Sequence, residues 1–161
     1  PGNIMSSAVP MGGELMQAEE GARPSFLIEA TADPKSGFLD RIQMVKGWIN
    51  ADGSTSEAIY DVAWAGSERL LGDGSLRPVA NTVDLTTGRV DNSVGASRLT
   101  SAWVDPDFNP TQAAFYYVRV LQIPTARHSL LDKLALGGGV DTRRPDTLQE
   151  RAYTSAIWYR P

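Results

Sequence analysis

The sequence predicts a mainly β fold, an antiparallel β-sandwich of the Ig-like or jelly-roll-like kind, with one short helix near the C-terminus. Two observations predict it: several short stretches place apolar side chains at every second position, and residues that favour turns separate these stretches. The chain has 161 residues, of which 42 % are hydrophobic and 21 % are charged. That composition supplies enough apolar material for one globular core.

The beginning of the chain differs from the rest. Residues 1–24 are rich in Gly, Pro and small side chains and show no sustained period, although Gly12 and Gly13 favour a tight turn. Because they lack a period, we read residues 1–24 as an extended lead-in from an upstream domain. The chain opens with Pro1 and not with Met, which is consistent with the removal of either a leader or a whole upstream domain. Residues 25–161 form the predicted β-sandwich domain.

The first strands follow from alternation. Residues 25–33 (SFLIEATAD) alternate, and residues 39–50 (LDRIQMVKGWIN) and 56–66 (SEAIYDVAWAG) flank a turn of Asn, Ala, Asp and Gly at 50–53. This arrangement predicts a hairpin. On its first strand, one face carries Ile42, Met44 and Trp48, and the other carries Val45 and Ile49. On its second strand, one face carries Ala58, Tyr60, Val62 and Trp64.

The middle of the chain contains four more strand candidates. Three short runs cover residues 79–85, 89–95 and 98–106, and a fourth covers residues 112–124 (QAAFYYVRVLQIP). The fourth run has apolar side chains on both faces, which is typical of a central strand covered on both sides.

The last segment combines three patterns. Residues 129–139 (SLLDKLALGGG) predict the one short helix, with Ser129 as N-cap and Gly137 to Gly139 at its end. Residues 140–152 are polar and predict a surface loop. Residues 154–161 (TSAIWYRP) predict a closing strand, with either Ile157 or Trp158 turned into the core and the other facing outward.

Composition limits the chemistry. The net charge is −4, so the sequence offers no basic face for nucleic acid, and no apolar run reaches the roughly 18–20 residues that span a bilayer. There is no Cys and only one His, His128. A Ser-His-Asp triad or a metal site of clustered His residues within this chain is therefore nearly excluded. We assign no catalytic and no metal-binding residue.

Two local patterns have a structural and a functional interpretation. Asp105, Asp107 and Asn109 resemble the start of a calcium loop, but Pro110 and Tyr116 occupy the places of its Gly and its final Glu. Two Asx-Pro turns explain this stretch better. The second pattern is a set of residues that could bind an anion or line a domain interface: Arg119, Arg127, His128, Glu150 and Arg151.

Arg119 is the unusual member of that set. The alternation of the strand places Arg119 on the same face as Phe115, Tyr117 and Leu121. A charged side chain is unexpected on such an apolar face. It either extends along the apolar face, pairs with a buried carboxylate such as Glu150, or recognises an anion. We favour the two structural explanations.

Several blocks of sequence carry a family resemblance. FLDRIQMVKGWINADG, YDVAWAG, an Asp-Pro-Asp-Phe turn leading into AFYYVRVLQIPTAR, and QERAYTSAIWY occur in this order. Together they resemble the C-terminal part of a bacterial family known only as a domain of unknown function. Its full members are longer and resemble PHP-like (polymerase and histidinol phosphatase-like) metal-dependent hydrolases. The resemblance extends from about residue 9 to the C-terminus.

The resemblance implies an accessory role. The His- and Asp-rich metal motifs of such proteins lie upstream. The resemblance therefore implies that a divalent metal is bound in the upstream hydrolase domain and that this chain holds no cofactor. It also implies that the hydrolase domain is the partner of this chain and that the protein is exported to the periplasm or beyond. This chain departs from the family pattern at two places. The family reads Ile-Pro-Thr-Pro-Arg-Trp where residues 123–129 read IPTARHS. It reads Ser-Pro-Ile-Trp at residues 155–158, where this chain has Ala156 in place of Pro. Arg127 is retained, so it is the first residue to test at the domain interface.

Two other function classes are consistent with the residues. The four Trp residues could form a platform in a carbohydrate- or small-ligand-binding module, which requires at least two Trp or Tyr rings side by side on an exposed face. Among the 19 acidic residues, a carboxylate pair of the glycosidase kind would make the chain an enzyme in its own right.

Overall fold

The computed structural model describes residues 8–16, 21–138 and 143–161. The described residues form one α-helix, α1 (His128–Leu136), one 3-10 turn (Ser67–Arg69) and the following strands: β1 Glu14–Leu15, β2 Ser25–Thr31, β3 Leu39–Ile49, β4 Thr55–Trp64, β5 Arg98–Val104, β6 Ala114–Gln122, β7 Thr125–Ala126, β8 Thr147–Leu148, β9 Arg151–Tyr153 and β10 Ile157–Tyr159. The predicted mainly β fold with one short helix near the C-terminus is confirmed.

The larger sheet has the strand order β1-β10-β6-β3-β4, and β9 pairs with β6 beyond the end of β10. Its pairs are antiparallel except β1 and β10, which are parallel. β1 lies in the segment that we read as a lead-in, and it is bonded to the closing strand: the Trp158 amide donates to Gly13 O at 3.0 Å, and the Arg160 amide donates to Leu15 O at 3.1 Å.

The second layer is the antiparallel pair β2–β5, and the core lies between it and the larger sheet. Ile42 and Met44 of β3 point into this core together with Phe26, Ile28 and Tyr116. Each such side chain contributes about 1.5–3 kcal/mol through burial. The predicted hairpin of β3 and β4 is present, and its turn places Gly53 at φ +82°, a conformation that favours glycine.

A bulge changes the faces of β4. Tyr60 lies opposite Met44 and faces the core, but the register shifts so that Ala63 lies opposite Ile42 and Trp64 opposite Arg41. Trp64 therefore faces away from the core, and the prediction that it shares a face with Tyr60 is wrong. A period-two pattern assumes one residue per pleat, and the bulge inserts an extra residue at this point.

The segment between β4 and β5 is irregular. Residues 79–85 and 89–95 were predicted as strands, but among them the structure has only the isolated bridge of Val83 with Val90. The polar side chains turn the backbone instead: Asp84 Oδ1 accepts from the Thr86 amide at 2.8 Å. Arg69 fixes this segment to the sheet, since its Nη2 lies 2.7 Å from Asp40 Oδ1 and its Nε donates to Arg77 O.

The C-terminal segment also departs from the predictions. The loop predicted at 140–152 includes β8 and β9, while residues 140–142 lie outside the described residues. The N-cap of α1 is Arg127, with no side-chain capping bond, and not Ser129. Gly137 ends the helix in the left-handed conformation, as predicted. In β10, Ile157 and the 2 % exposed Tyr159 face inward, and Trp158 faces outward.

Candidate functional site

The side of the larger sheet that points away from β2 and β5 is called the outer face here. It is built from the alternate residues of β6 that the core does not use, Phe115, Tyr117, Arg119 and Leu121, and from their neighbours on the adjoining strands. Because β6 is apolar on both sides, three of its seven apolar side chains project onto this face.

Four aromatic rings form a row on the outer face. Ring centroids are 5.4 Å apart for Trp158 and Phe115, 6.3 Å for Phe115 and Tyr117, and 6.2 Å for Tyr117 and Tyr153. This aromatic row starts on β10, runs along β6 and ends on β9, which pairs with the same edge of β6 as β10 does. Its two ends are the most open, because Trp158 is 51 % exposed and Tyr153 is 57 % exposed.

A glycine in β3 shapes one end of this row. Phe115 lies over Gly47, where a Cβ atom would stand only 2.4 Å from the ring carbon Cζ. Glycine in the middle of a strand is explained here by the close approach of that ring. Beside it lies a groove of about 730 Å³, lined among others by Ile49, Thr55 and Trp158.

Polar side chains continue the outer face next to the aromatic row. Arg119 Nε donates to Gln43 Oε1 at 2.8 Å, and Gln43 Nε2 donates to Asp61 Oδ1 at 2.8 Å. Asp61 also accepts from Arg41 at 3.3 Å. Arg119 therefore contacts a side-chain amide and not Glu150, which is exposed.

The five residues predicted for binding fall into two groups. Arg119 and Arg151 lie on strands of the larger sheet, where Tyr153 stands opposite Arg119 and Arg151 stands opposite Leu121. The other three, Arg127, His128 and Glu150, line one cavity of about 350 Å³ at the start of α1. Arg144 lines the same cavity.

A buried charged cluster was missed by sequence reasoning. Lys46 Nζ lies 2.6 Å from Asp105 Oδ2, and the two side chains are 5 % and 0 % exposed. Tyr116 donates to the same oxygen at 2.7 Å, and the Asp107 amide donates to Asp105 Oδ1. Burial, and then the bond to Asp105, raise the pKa of Tyr116 far above its usual value. The available signal was Lys46 itself, a charge at an inward position of β3.

The same cluster settles how Asp105 and Asp107 are used. Both Asp105 oxygens accept hydrogen bonds within the protein, and Tyr60 donates to Asp107 Oδ2 at 2.8 Å. Burial, followed by this bond, raises the pKa of Tyr60 well above its ordinary value. Asn109 Oδ1 accepts from the Thr111 amide. The interpretation as Asx turns, preferred over a calcium loop, agrees with these contacts.

Within residues 8–16, 21–138 and 143–161, no group of three or more His, Cys, Asp or Glu side chains could hold a metal ion. None of the helices in the described part of the chain has the length and apolar character needed to cross a membrane.

These features define a mainly β, two-layer protein with an exposed aromatic sheet face. The chain belongs to the family described as protein of unknown function (DUF3604), whose model matches residues 2–161. The predicted resemblance to a family of unknown function is thereby confirmed. Comparison with curated proteins and with solved structures found no match.

Proposed function

We propose that this chain is the accessory, structural C-terminal β-sandwich of a larger bacterial PHP-like metal-dependent hydrolase, and that its outer face packs against the hydrolase domain of the same polypeptide. The observation that carries the proposal is the exposed aromatic row on a sheet face. In this arrangement the divalent metal and its ligands belong to the upstream domain, and the whole protein is exported.

Apolar exposure on the outer face supports a covering partner. Besides the aromatic row, Ile49 is 52 % and Ile59 is 47 % exposed on this side of the sheet. Monomeric proteins rarely leave contiguous apolar patches of more than a few hundred Å² in water, and larger ones mark contact surfaces. A strand with apolar side chains on both faces is typical of a sheet that is covered on both sides.

The course of the chain near β1 supports this arrangement. The Gly12 amide, just before β1, donates to Ala156 O at 3.2 Å, so Gly12 is held beside the start of β10. Trp158 projects from β10 to the outer face. A domain joined there would be tethered next to the aromatic row, and tethering raises its effective concentration at that surface.

Oxidative footprinting tests the proposal in the native polypeptide. We expect hydroxyl radicals to modify Trp158 and Tyr153 several-fold more slowly in the complete polypeptide than in the 161-residue chain. Leu27, which is 91 % exposed on β2, is the internal control and should react equally in both. Equal reactivity of Trp158 in the two proteins would refute docking through this face.

A carbohydrate- or small-ligand-binding module is the second candidate. Tyr117 and Tyr153 lie side by side with ring centroids 6.2 Å apart, the arrangement that this hypothesis requires, and Trp158 extends the row. A glycan array with the 161-residue chain tests it. Binding of one glycan that Trp158→Ala abolishes, together with unchanged footprinting in the complete polypeptide, would favour this candidate over docking.

A further inference from the structure

One edge of β2 points away from the smaller layer. In the part of the chain that the structure describes, β5 is the only strand that pairs with β2. At the two ends of this pair, the Asp105 amide donates to Pro24 O at 3.2 Å, and the Ala32 amide donates to Ser97 O at 2.8 Å. Hydrogen-bonded residues alternate along an antiparallel pair, so the even-numbered residues of β2 bond to β5. The N–H and C=O groups that point to the other edge belong to Ser25, Leu27, Glu29 and Thr31.

This edge lacks the features that keep exposed strands apart. Edge strands of monomeric proteins are usually very short, or they carry Lys, Pro or a bulge. β2 has seven residues (SFLIEAT) without Lys or Pro, and its register with β5 is continuous. Leu27, near the middle of the edge, is 91 % exposed. An open edge of this kind is a surface to which another strand can be added.

The edges of the larger sheet are protected. β4 contains the bulge, its Val62 O accepts from Ser101 Oγ at 2.9 Å, and it carries the carboxylates of Glu57 and Asp61. A bulge twists an edge away from a partner, and like charges repel a second copy of the same strand. The opposite edge is β1, which spans only two residues. Of these edges, β2 is the one suited to strand addition.

The residues of β2 are complementary to a second copy of the same strand. We propose that two copies of this chain pair antiparallel through β2, centred on Ile28, so that their smaller layers join into one four-stranded sheet. In this register, Leu27 lies opposite Glu29 of the second copy, and Ser25 lies opposite Thr31 of the second copy. Odd-numbered residues therefore meet odd-numbered residues, and each free N–H and C=O group of the edge gains a partner. No two like charges lie opposite each other.

The alternative registers are less favourable. Centring the pair on Glu29 places the two Glu29 carboxylates opposite each other, and centring it on Leu27 leaves Thr31 beyond the end of the partner strand. In the register centred on Ile28, the two exposed Leu27 side chains are diagonal neighbours on one face of the joined sheet. The contact uses the same residues on both copies, so a two-fold axis relates them and the assembly closes as a dimer.

Analytical ultracentrifugation of the 161-residue chain tests the pairing. We expect a particle of twice the 17.4 kDa of one chain, which dissociates reversibly on dilution. Two variants test the register. Leu27→Glu places a carboxylate opposite Glu29 of the second copy, whereas Leu27→Lys places an ammonium group there, so the first should dimerise about ten-fold more weakly than the second. A single-chain mass at every concentration up to about 1 mM would overturn the proposal.

Two further variants separate β2 from the rest of the surface. Leu27→Pro removes an amide that does not bond to β5, so it should keep the fold, verified by circular dichroism, and abolish the dimer. Ile59→Glu, on β4, should dimerise as the unmodified chain does. Equal dissociation constants for Leu27→Glu and Leu27→Lys, or loss of the dimer in Ile59→Glu alone, would reject pairing through β2.

The dimer is independent of domain docking, because no residue of the outer face takes part in it. At equal molar concentration β2 pairs alike in the 161-residue chain and in the complete polypeptide, so Leu27 remains a valid footprinting control. Refuting either proposal therefore leaves the other standing.

Discussion

Lys46 and Asp105 form a buried ion pair that connects the two layers of the fold, with 2.6 Å between Nζ and Oδ2. Lys46 belongs to β3 of the larger sheet, and Asp105 directly follows β5 of the smaller one. Lys46 also donates to Asp107 O at 2.8 Å. One ammonium group thus fixes both the end of β5 and the turn that follows it.

Replacing Lys46 should therefore be costly. Lys46→Met leaves the Asp105 carboxylate buried without its counter-ion, and we expect a loss of about 3–5 kcal/mol in the free energy of unfolding, measured in urea. The control is Arg98→Met, because Arg98 pairs with Glu29 at 2.8 Å but both are more than half exposed. That loss should stay below about 1 kcal/mol. Similar losses in the two variants would contradict a stabilising role for the buried pair.

The hydroxyl of Tyr116 should make stability depend on alkaline pH. Its pKa is raised in the folded protein, so above the unfolded value near 10 the unfolded state releases the proton first. Stability is thus complete below about pH 10 and is lost as pH rises from there. We expect Tyr116→Phe to give a shallower decrease in urea midpoint between about pH 9.5 and 11. Tyr60, whose pKa is also raised, should supply part of the slope that remains.

The alternation of apolar residues is what made most strands predictable. β2 and β6 bury alternate side chains against one layer, so a period of two marks them directly. Residues 79–95 imitate that alternation, but their Asp, Asn and Thr side chains bond to nearby backbone amides. Local bonds of this kind compete with strand pairing and are invisible to a hydrophobic pattern.

Partners distant in the sequence were beyond prediction. Lys46 occupies an inward-facing position in the alternation of β3, which indicates a buried charge. No feature of the neighbouring sequence identifies Asp105 as its partner. Likewise, Arg119 and Glu150 carry complementary charges, yet β-sheet register places Gln43 and Tyr153 beside Arg119. The register of a strand pair depends on the bulges and turns of the whole sheet. The residues that lie opposite one another therefore cannot be read from the local sequence of either strand.

Adding a methyl group at Gly47 should destabilise the protein, because Phe115 packs directly over this residue. Gly47→Ala places Cβ 2.4 Å from the Phe115 ring, so we expect overpacking to cost about 1–3 kcal/mol in urea unfolding. Gly72→Ala is the matched control, since its Cβ would meet no atom within 4 Å. Combining Gly47→Ala with Phe115→Leu should recover part of the loss because the ring is gone. A Gly47→Ala protein as stable as Gly72→Ala would show that the ring moves aside without cost.

The aromatic C-terminus should be required for folding as well as for contacts of the outer face. β10 connects β1 to β6, and its Tyr159 is buried, donates to Pro110 O at 2.9 Å and packs edge-on against Phe108. Deleting residues 156–161 removes this strand and exposes the side of β6, so we expect no cooperative thermal transition by circular dichroism. Trp158→Ser removes only the outward ring, and it should lower the melting temperature by no more than about 4 °C. If the truncated chain melts at the same temperature as the intact one, β10 acts only as an interaction segment and the core must close without Tyr159.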